Sequence, residues 1–85
     1  YIVRFSLTRP TECAFNHKDL VLTQNDAKVE LYSLYVDART FKPNRPISGA
    51  FVVRASSVKP NSTLKLQFNP NADPGPSVFI PPLQN

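Results

Sequence analysis

The chain has 85 residues, a formal net charge of +4 and a single cysteine, which excludes a framework of intramolecular disulfides. A domain of this length buries only about 60–65% of the surface that its unfolded chain exposes, so its hydrophobic core is small. The six Phe and three Tyr residues argue against intrinsic disorder, and no run of about 18 apolar residues occurs, so we expect no membrane span in this piece.

Prolines, of which there are nine against two glycines, divide the chain into segments. Each proline fixes its own φ and lacks a backbone donor, so it marks the end of a strand or helix. Because prolines crowd the C-terminal part of the chain, we predict a β domain at residues 1–69 and an extended proline-rich arm at residues 70–85. The sequence contains no methionine, so we also expect a processed chain or an excised domain of a longer polypeptide.

The first eight residues alternate between two faces. Tyr1, Val3, Phe5 and Leu7 fall on one of them, which is typical of a half-buried strand, and Pro10 ends the run. Because the run begins at the first residue, we expect an edge strand or a strand lent to a neighbouring subunit.

Residues 11–19 contain the chain's one combination of a nucleophile with a base, formed by Glu12, Cys13, His17 and Asp19. Cysteine catalysis needs an imidazole within hydrogen-bond distance of the thiol, and proximity along the chain does not supply that geometry. A structural zinc site requires four ligands, whereas the Cys-x3-His spacing supplies two. We therefore expect no catalytic residue, no metal site and no cofactor, with Cys13 as a small core residue.

A short strand is predicted at residues 19–23, followed by a turn at Gln24-Asn25-Asp26. Residues 27–41 are compatible with two structures. As a helix they place apolar side chains on one stripe, with Asp26 as the N-cap. As a strand they contain many β-forming Val, Tyr and Thr residues on two mixed faces, typical of a central strand covered on both sides. We favour the strand and keep one helix near residues 27–40 as the alternative.

Two proline turns follow. The first, at residues 42–46, prevents a strand from continuing on either side. The second, a predicted type I turn at residues 59–62, joins two strands at residues 50–58 and 63–68 into a hairpin. Its expected inward side chains are Phe51, Val53, Ala55, Leu64, Leu66 and Phe68.

The arm contains one short apolar strand, at residues 77–80. A proline-rich extended segment loses little conformational entropy when it lies on a partner. We expect the arm either to cover the edge of its own sheet or to dock on a neighbouring subunit. The side chains available for this are Val78, Phe79, Ile80 and Leu83.

Positive charge is concentrated in the second half of the chain, where residues 39–85 carry one acidic side chain, Asp73. The basic residues that form a candidate polyanion-binding surface are Arg39, Lys42, Arg45, Arg54, Lys59 and Lys65. The aromatic residues considered for stacking on bases are Tyr32, Tyr35 and Phe51, although a solvated loop and core aromatics explain the same pattern. The triplet Asn61-Ser62-Thr63 is a sequon, which makes Asn61 a candidate glycosylation site.

Together these patterns predict an all-β fold, a small antiparallel sandwich or barrel of five to seven short strands; the alternative is an α+β fold with one helix. We expect a non-enzymatic structural, assembly or protein-binding module, such as a subunit or attached domain of a virion, an appendage or another multi-copy assembly. Its partners would be neighbouring subunits or its parent polypeptide, in a virion or outside the cell. The alternative function is a small β-barrel that binds nucleic acid or another polyanion through the basic second half.

Overall fold

The computed structural model describes residues 1–69 and 75–83, and within these ranges the chain is all-β. Its strands are β1 (Ile2–Leu7), β2 (Cys13–Ala14), β3 (Leu20–Gln24), β4 (Ala27–Val29), β5 (Ser33–Val36), β6 (Thr40–Phe41), β7 (Ile47–Val52), β8 (Leu64–Phe68) and β9 (Ser77–Ile80). Short 3-10 turns occupy His17–Asp19 and Ala55–Ser57. The all-β prediction is confirmed, with more strands than the five to seven expected.

The strands form antiparallel sheets that pack face to face, like a sandwich. Within the described ranges, the first sheet has the order β1-β7-β5 and the second the order β4-β3-β8-β9, while β2 and β6 form a separate short pair. The rings of Phe15, Phe41 and Phe68 meet in one cluster, with centroids 5.1 to 6.1 Å apart. The fully buried side chains of the core are Leu22, Phe41, Ile47, Phe51, Val53, Leu64, Leu66 and Phe68.

The alternation predicted for the first strand is confirmed. Val3, Phe5 and Leu7 are buried, while Ile2 is 76% exposed. β1 pairs with β7 along its whole length, and no other described strand pairs with it. It is therefore an edge strand of its sheet.

Residues 27–41 form β4, β5 and β6, so the α+β alternative is wrong for this segment. Asn25 and Asp26 have positive φ angles of 54° and 65°, as in a type I′ turn, and this turn returns the chain beside β3 as β4. The chain then crosses to the first sheet as β5, which pairs with β7 and with no other described strand. Tyr35 in β5 is 67% exposed, so one face of this strand is open, and the expectation of a central strand covered on both sides is wrong: β5 lies at the edge of its sheet.

The predicted hairpin between residues 50–58 and 63–68 is wrong. β7 pairs with β1 and β5 in the first sheet, whereas β8 pairs with β3 and β9 in the second. Residues 53–63 connect the two sheets, and Val53 and Val58 are buried along the way. The expected inward side chains are buried except for Ala55, which is exposed, because two facing sheets bury the same alternating residues that one face of a hairpin would.

A buried amide holds this connection in place. Gln24, the last residue of β3, is 5% exposed. Its Nε2 donates to the carbonyl oxygens of Lys59, at 2.8 Å, and Ser62, at 3.0 Å. Its Oε1 accepts from the backbone N–H of Lys59 at 2.7 Å. One side chain therefore satisfies three backbone groups of the loop that leads into β8.

The two Pro-Asn turns share one backbone geometry. In Pro43-Asn44 and Pro60-Asn61 the asparagine has a positive φ, 59° and 65° respectively. Proline at the second position and a left-handed residue at the third are typical of a type II turn, so the type I turn predicted at residues 59–62 is wrong. Asparagine is among the few residues that adopt this backbone region readily.

The last described strand belongs to the second sheet. β9 pairs with β8, and Ile80 is buried, Val78 half-buried and Phe79 68% exposed. Residues 77–80 thus cover the edge of the chain's own sheet, which is one of the two placements expected for them. Residues 70–74 and 84–85 lie outside the described residues, so the division into a domain and an arm stays a prediction.

Replacing Gln24 by Leu is expected to lower the free energy of unfolding by about 2–3 kcal/mol, because three backbone groups lose their partner at a part-buried site. Urea unfolding followed by circular dichroism measures this change. The matched control is Gln67→Leu, at a half-buried position on the outward side of β8, which should change stability by less than about 0.5 kcal/mol. Equal effects of the two substitutions would contradict the anchoring role of Gln24.

Candidate functional site

The outward side of the first sheet is the first surface that could contact a partner. Strand pairing aligns Arg4, Ala50 and Tyr35 in one cross-strand row, and Ile2 and Val52 in the next. Alternation along each strand directs these side chains away from the core. We call these five residues the outer face.

Much of the outer face is apolar and exposed. Ile2 is 76% exposed and Tyr35 67%, and Tyr32, just before β5, is 66% exposed. The guanidinium carbon of Arg54 lies 5.1 Å from the centre of the Tyr32 ring, a cation–π contact. The same end of the molecule therefore combines exposed tyrosine rings with arginine side chains.

The second surface is a cleft of about 950 Å³ on the side of the sandwich where β4 and β5 lie. On the opposite side β1 and β9 are close together, so the two sheets meet there and separate at the cleft. The apolar side chains that line the cleft are Ala14, Phe15, Leu20, Leu22, Val29, Leu31, Leu34 and Val36.

The charged lining of the cleft is mostly basic. Lys18, Lys28 and Arg39 line it, and Glu30 is the one carboxylate among its described lining residues. His17, exposed on the 3-10 turn before β3, lines it as well. The excess of cations favours a ligand that carries negative charge.

The predicted polyanion-binding residues, all within the described part of the chain, are spread over several places. These are the cleft (Arg39), the turn between β6 and β7 (Lys42 and Arg45), the ring of Tyr32 (Arg54), the loop before β8 (Lys59) and the outward side of β8 (Lys65). A ligand that used all of them would have to wrap around the sandwich. Their action as one site stays a prediction.

One of these cations already has an acidic partner. The Nζ of Lys42 lies 2.5 Å from Oε1 of Glu12, and both side chains are more than half exposed. The hydrogen bond from Lys42, together with its charge, lowers the pKa of Glu12 below its ordinary value. Lys42 is therefore less available to a polyanion than an unpaired lysine would be.

The residues around Cys13 are spread over β2 and the turn that follows it. Cys13 packs against the core but is half-buried, not enclosed within the core as predicted, and its Sγ lies 3.4 Å from the carbonyl oxygen of Ala14. His17 is exposed, and Glu12 pairs with Lys42. In residues 1–69 and 75–83, no three His, Cys, Asp or Glu side chains form a group that could hold a metal ion.

The remaining predicted sites lie near the C-terminal part of the fold. Asn61 is exposed on the turn before β8, and its glycosylation stays a prediction. Val78 and Leu83 are half-buried against the core and Ile80 is buried within it, so Phe79 is the exposed member of the predicted docking residues. Their docking on a partner also stays a prediction.

The sequence signals parts of both surfaces but neither surface as a unit. Of the aromatic residues considered for base stacking, Tyr32 and Tyr35 are exposed, whereas Phe51 is fully buried. The alternation of β1 contained a signal for the outer face, since it directs Ile2 away from the core. No local pattern signals the contribution of Lys18, because the cleft brings together segments that are distant along the chain.

Comparisons with known protein families, with curated proteins and with solved structures found no significant match for this chain. Across the described ranges, no helix has the length and apolar character needed to cross a membrane. The outer face and the cleft are therefore the features of the described chain that point to a partner.

Replacing Lys42 by Ala is expected to raise the pKa of Glu12 toward its ordinary value, because the hydrogen bond and the charge that lower it are removed. In the parent protein, the lowered pKa stabilises the fold at pH values above the pKa that Glu12 has in the unfolded chain. This stabilisation is lost as the pH falls through the lower pKa that Glu12 has in the folded protein. A ¹³C NMR titration of the Glu12 carboxyl measures the shift. Lys59→Ala, the matched control, should leave it unchanged, and an unchanged pKa in Lys42→Ala would show that the pair does not form in solution.

Proposed function

We propose that this chain is a non-enzymatic assembly module, a subunit or an attached domain of a multi-copy assembly such as a virion or an appendage. The observation that supports this most strongly is the outer face, where Ile2 and Tyr35 stay largely exposed on a sheet whose other side is the core. Exposed apolar side chains gathered on one face of a folded domain mark surfaces that bind other proteins.

The arrangement of side chains on the outer face suits packing against another flat surface. The small side chain of Ala50 lies between the longer side chains of Arg4 and Tyr35, so this row has a shallow depression at its centre. Val52, also on the central strand, is half-buried beside Ile2. A neighbouring subunit can place its own side chains over these small central residues, as in the packing of two sheets.

Light scattering at increasing protein concentration tests this proposal. The average mass of the parent protein should rise above the 9.5 kDa of one chain as the concentration increases. A variant with Ile2→Lys and Tyr35→Lys should stay near the mass of one chain, because association would then bury two unpaired ammonium groups.

The matched control is a variant with Thr63→Lys and Ser77→Lys, which introduces the same two charges at the exposed residue before β8 and at an exposed position of β9, away from the outer face. This variant should associate like the parent protein. A parent protein that remains a single chain at every concentration would contradict the proposal.

A second candidate function is the binding of single-stranded nucleic acid or another polyanion, and the tyrosine and arginine side chains around the outer face favour it. The exposed rings of Tyr32 and Tyr35 could stack on bases, and Arg4 and Arg54 would supply positive charge for phosphates. Of these cations, Arg54 belongs to the basic second half predicted for this function.

Fluorescence anisotropy with a labelled oligothymidylate tests this second candidate. It predicts binding at low salt that weakens steeply as salt is added, and a loss of about tenfold in affinity when Arg4 and Arg54 are both replaced by Gln. A variant with Lys59→Gln and Lys65→Gln removes the same charge elsewhere and should bind like the parent protein. Absence of binding at low salt, or binding that is indifferent to salt, would remove this candidate.

A further inference from the structure

We propose that the cleft between β4 and β5 binds an extended, acidic segment of a partner protein, which adds as a new strand to the free edge of β5. The cleft uses none of the side chains of the outer face. The proposal therefore goes beyond the assembly function and is tested independently of it. Three observations carry it: the backbone groups of β5, the apolar lining of the cleft and the charge around it.

The backbone of β5 offers unpaired groups on the side away from β7. The N–H of Asp37 donates to the carbonyl oxygen of Ser48 at 2.9 Å, and in an antiparallel ladder every second residue bonds to the same neighbour. Tyr35 therefore bonds to β7, while the N–H and C=O groups of Leu34 and Val36 point the other way. No described strand lies on that side. A row of this kind is a template for an added strand.

The side chains of the same residues supply an apolar surface for the added strand. Leu34 and Val36 are half-buried and line the cleft together with Leu31. Deeper in the cleft, Leu22 and Val29 are buried. An incoming strand that directs every second side chain inward would cover the half-buried residues, while its intervening side chains would stay exposed to solvent.

The charge around the cleft selects the exposed side chains of that strand. Lys18, Lys28 and Arg39 line the cleft with Glu30 as the one described carboxylate, and all three cationic side chains are exposed. This local excess of positive charge attracts a segment that carries acidic side chains and repels one that carries basic side chains. The partner is therefore an extended segment that alternates apolar with acidic residues.

The dimensions of the cleft also favour a short segment over a folded domain. β5 has four residues, which is roughly 13 Å of strand. The volume of about 950 Å³ is at the upper end of the range for pockets that enclose a small ligand. A few residues of extended chain fit these limits.

The test titrates a fluorescein-labelled heptapeptide of alternating Glu and Val, capped at both ends, into the full chain and follows fluorescence anisotropy. Two control peptides have Lys in place of Glu, or N-methyl groups that remove the backbone donors on the edge facing β5. The acidic peptide should bind at least about tenfold more tightly than either control, and its binding should weaken with added salt. Equal binding of the acidic and basic peptides, or no binding of the acidic peptide, overturns the proposal.

A charge-reversed variant locates the site. Lys18→Glu, Lys28→Glu and Arg39→Glu together should reverse the preference, so that the basic peptide binds more tightly than the acidic one. The matched control changes the net charge equally outside the cleft, through Arg45→Glu, Lys59→Glu and Lys65→Glu, and should keep the preference of the parent protein. Where the triple variant does not fold, by circular dichroism, Arg39→Glu alone should still weaken the acidic peptide about threefold or more.

Other occupants are distinguished by competition. Unlabelled oligothymidylate is added to the peptide complexes of the parent protein and of the charge-reversed variant. If it displaces the acidic peptide from the parent protein but displaces no peptide from the variant at the same concentration, the cleft is assigned to nucleic acid and the proposal is overturned. Loss of self-association in the charge-reversed variant, with the outer face intact, would assign the cleft to a second copy of this chain and overturn it as well.

Discussion

The hydrogen bonds of the Gln24 side chain fix the connection between the two sheets to the end of β3. Gln24 ends β3 in the second sheet and bonds to the backbone of Lys59 and Ser62, in the connection that arrives from the first sheet. The connection is fixed at the point where β8 enters beside β3, although β7 precedes β8 along the chain. A slip of β8 by one residue would turn its apolar side chains to solvent, and the buried amide, with its donors and acceptor satisfied, adds a directional constraint on the same register.

The same arrangement determines where the molecule can meet partners. With β8 and β9 beside β3, the second sheet reaches β1 on one side, and the sheets separate on the other side, where β4 and β5 border the cleft. Gly49 allows β7 to approach β5: a Cβ at this position would lie 2.1 Å from the carbonyl oxygen of Tyr35 and 3.1 Å from the ring of Phe5. β5 contributes to both surfaces. One of its edges pairs with β7, and no described strand pairs with the other edge.

Local patterns predicted the features that depend on residues close together in the chain. The alternation of β1 identified Val3 and Phe5 as buried, and the polar residues after β3 identified a turn that the backbone of Asn25 forms with positive φ. Alternation reports which side of a strand is buried but not which strand lies beside it, and this is why the pairing of β7 with β8 was predicted wrongly. The cleft could not be predicted for the same reason, since Lys18 and Arg39 reach it from separate segments that only the tertiary fold brings together.

Amide hydrogen exchange, read residue by residue with NMR, measures whether β5 has one paired and one free edge. An alternating pattern is expected in this strand: slow exchange at Tyr35 and Asp37, whose N–H groups point to β7, and fast exchange at Leu34 and Val36, whose N–H groups face the cleft. Equal, strong protection of all four amides in the isolated protein would show that the edge is already covered and that β5 has no free edge to offer a partner.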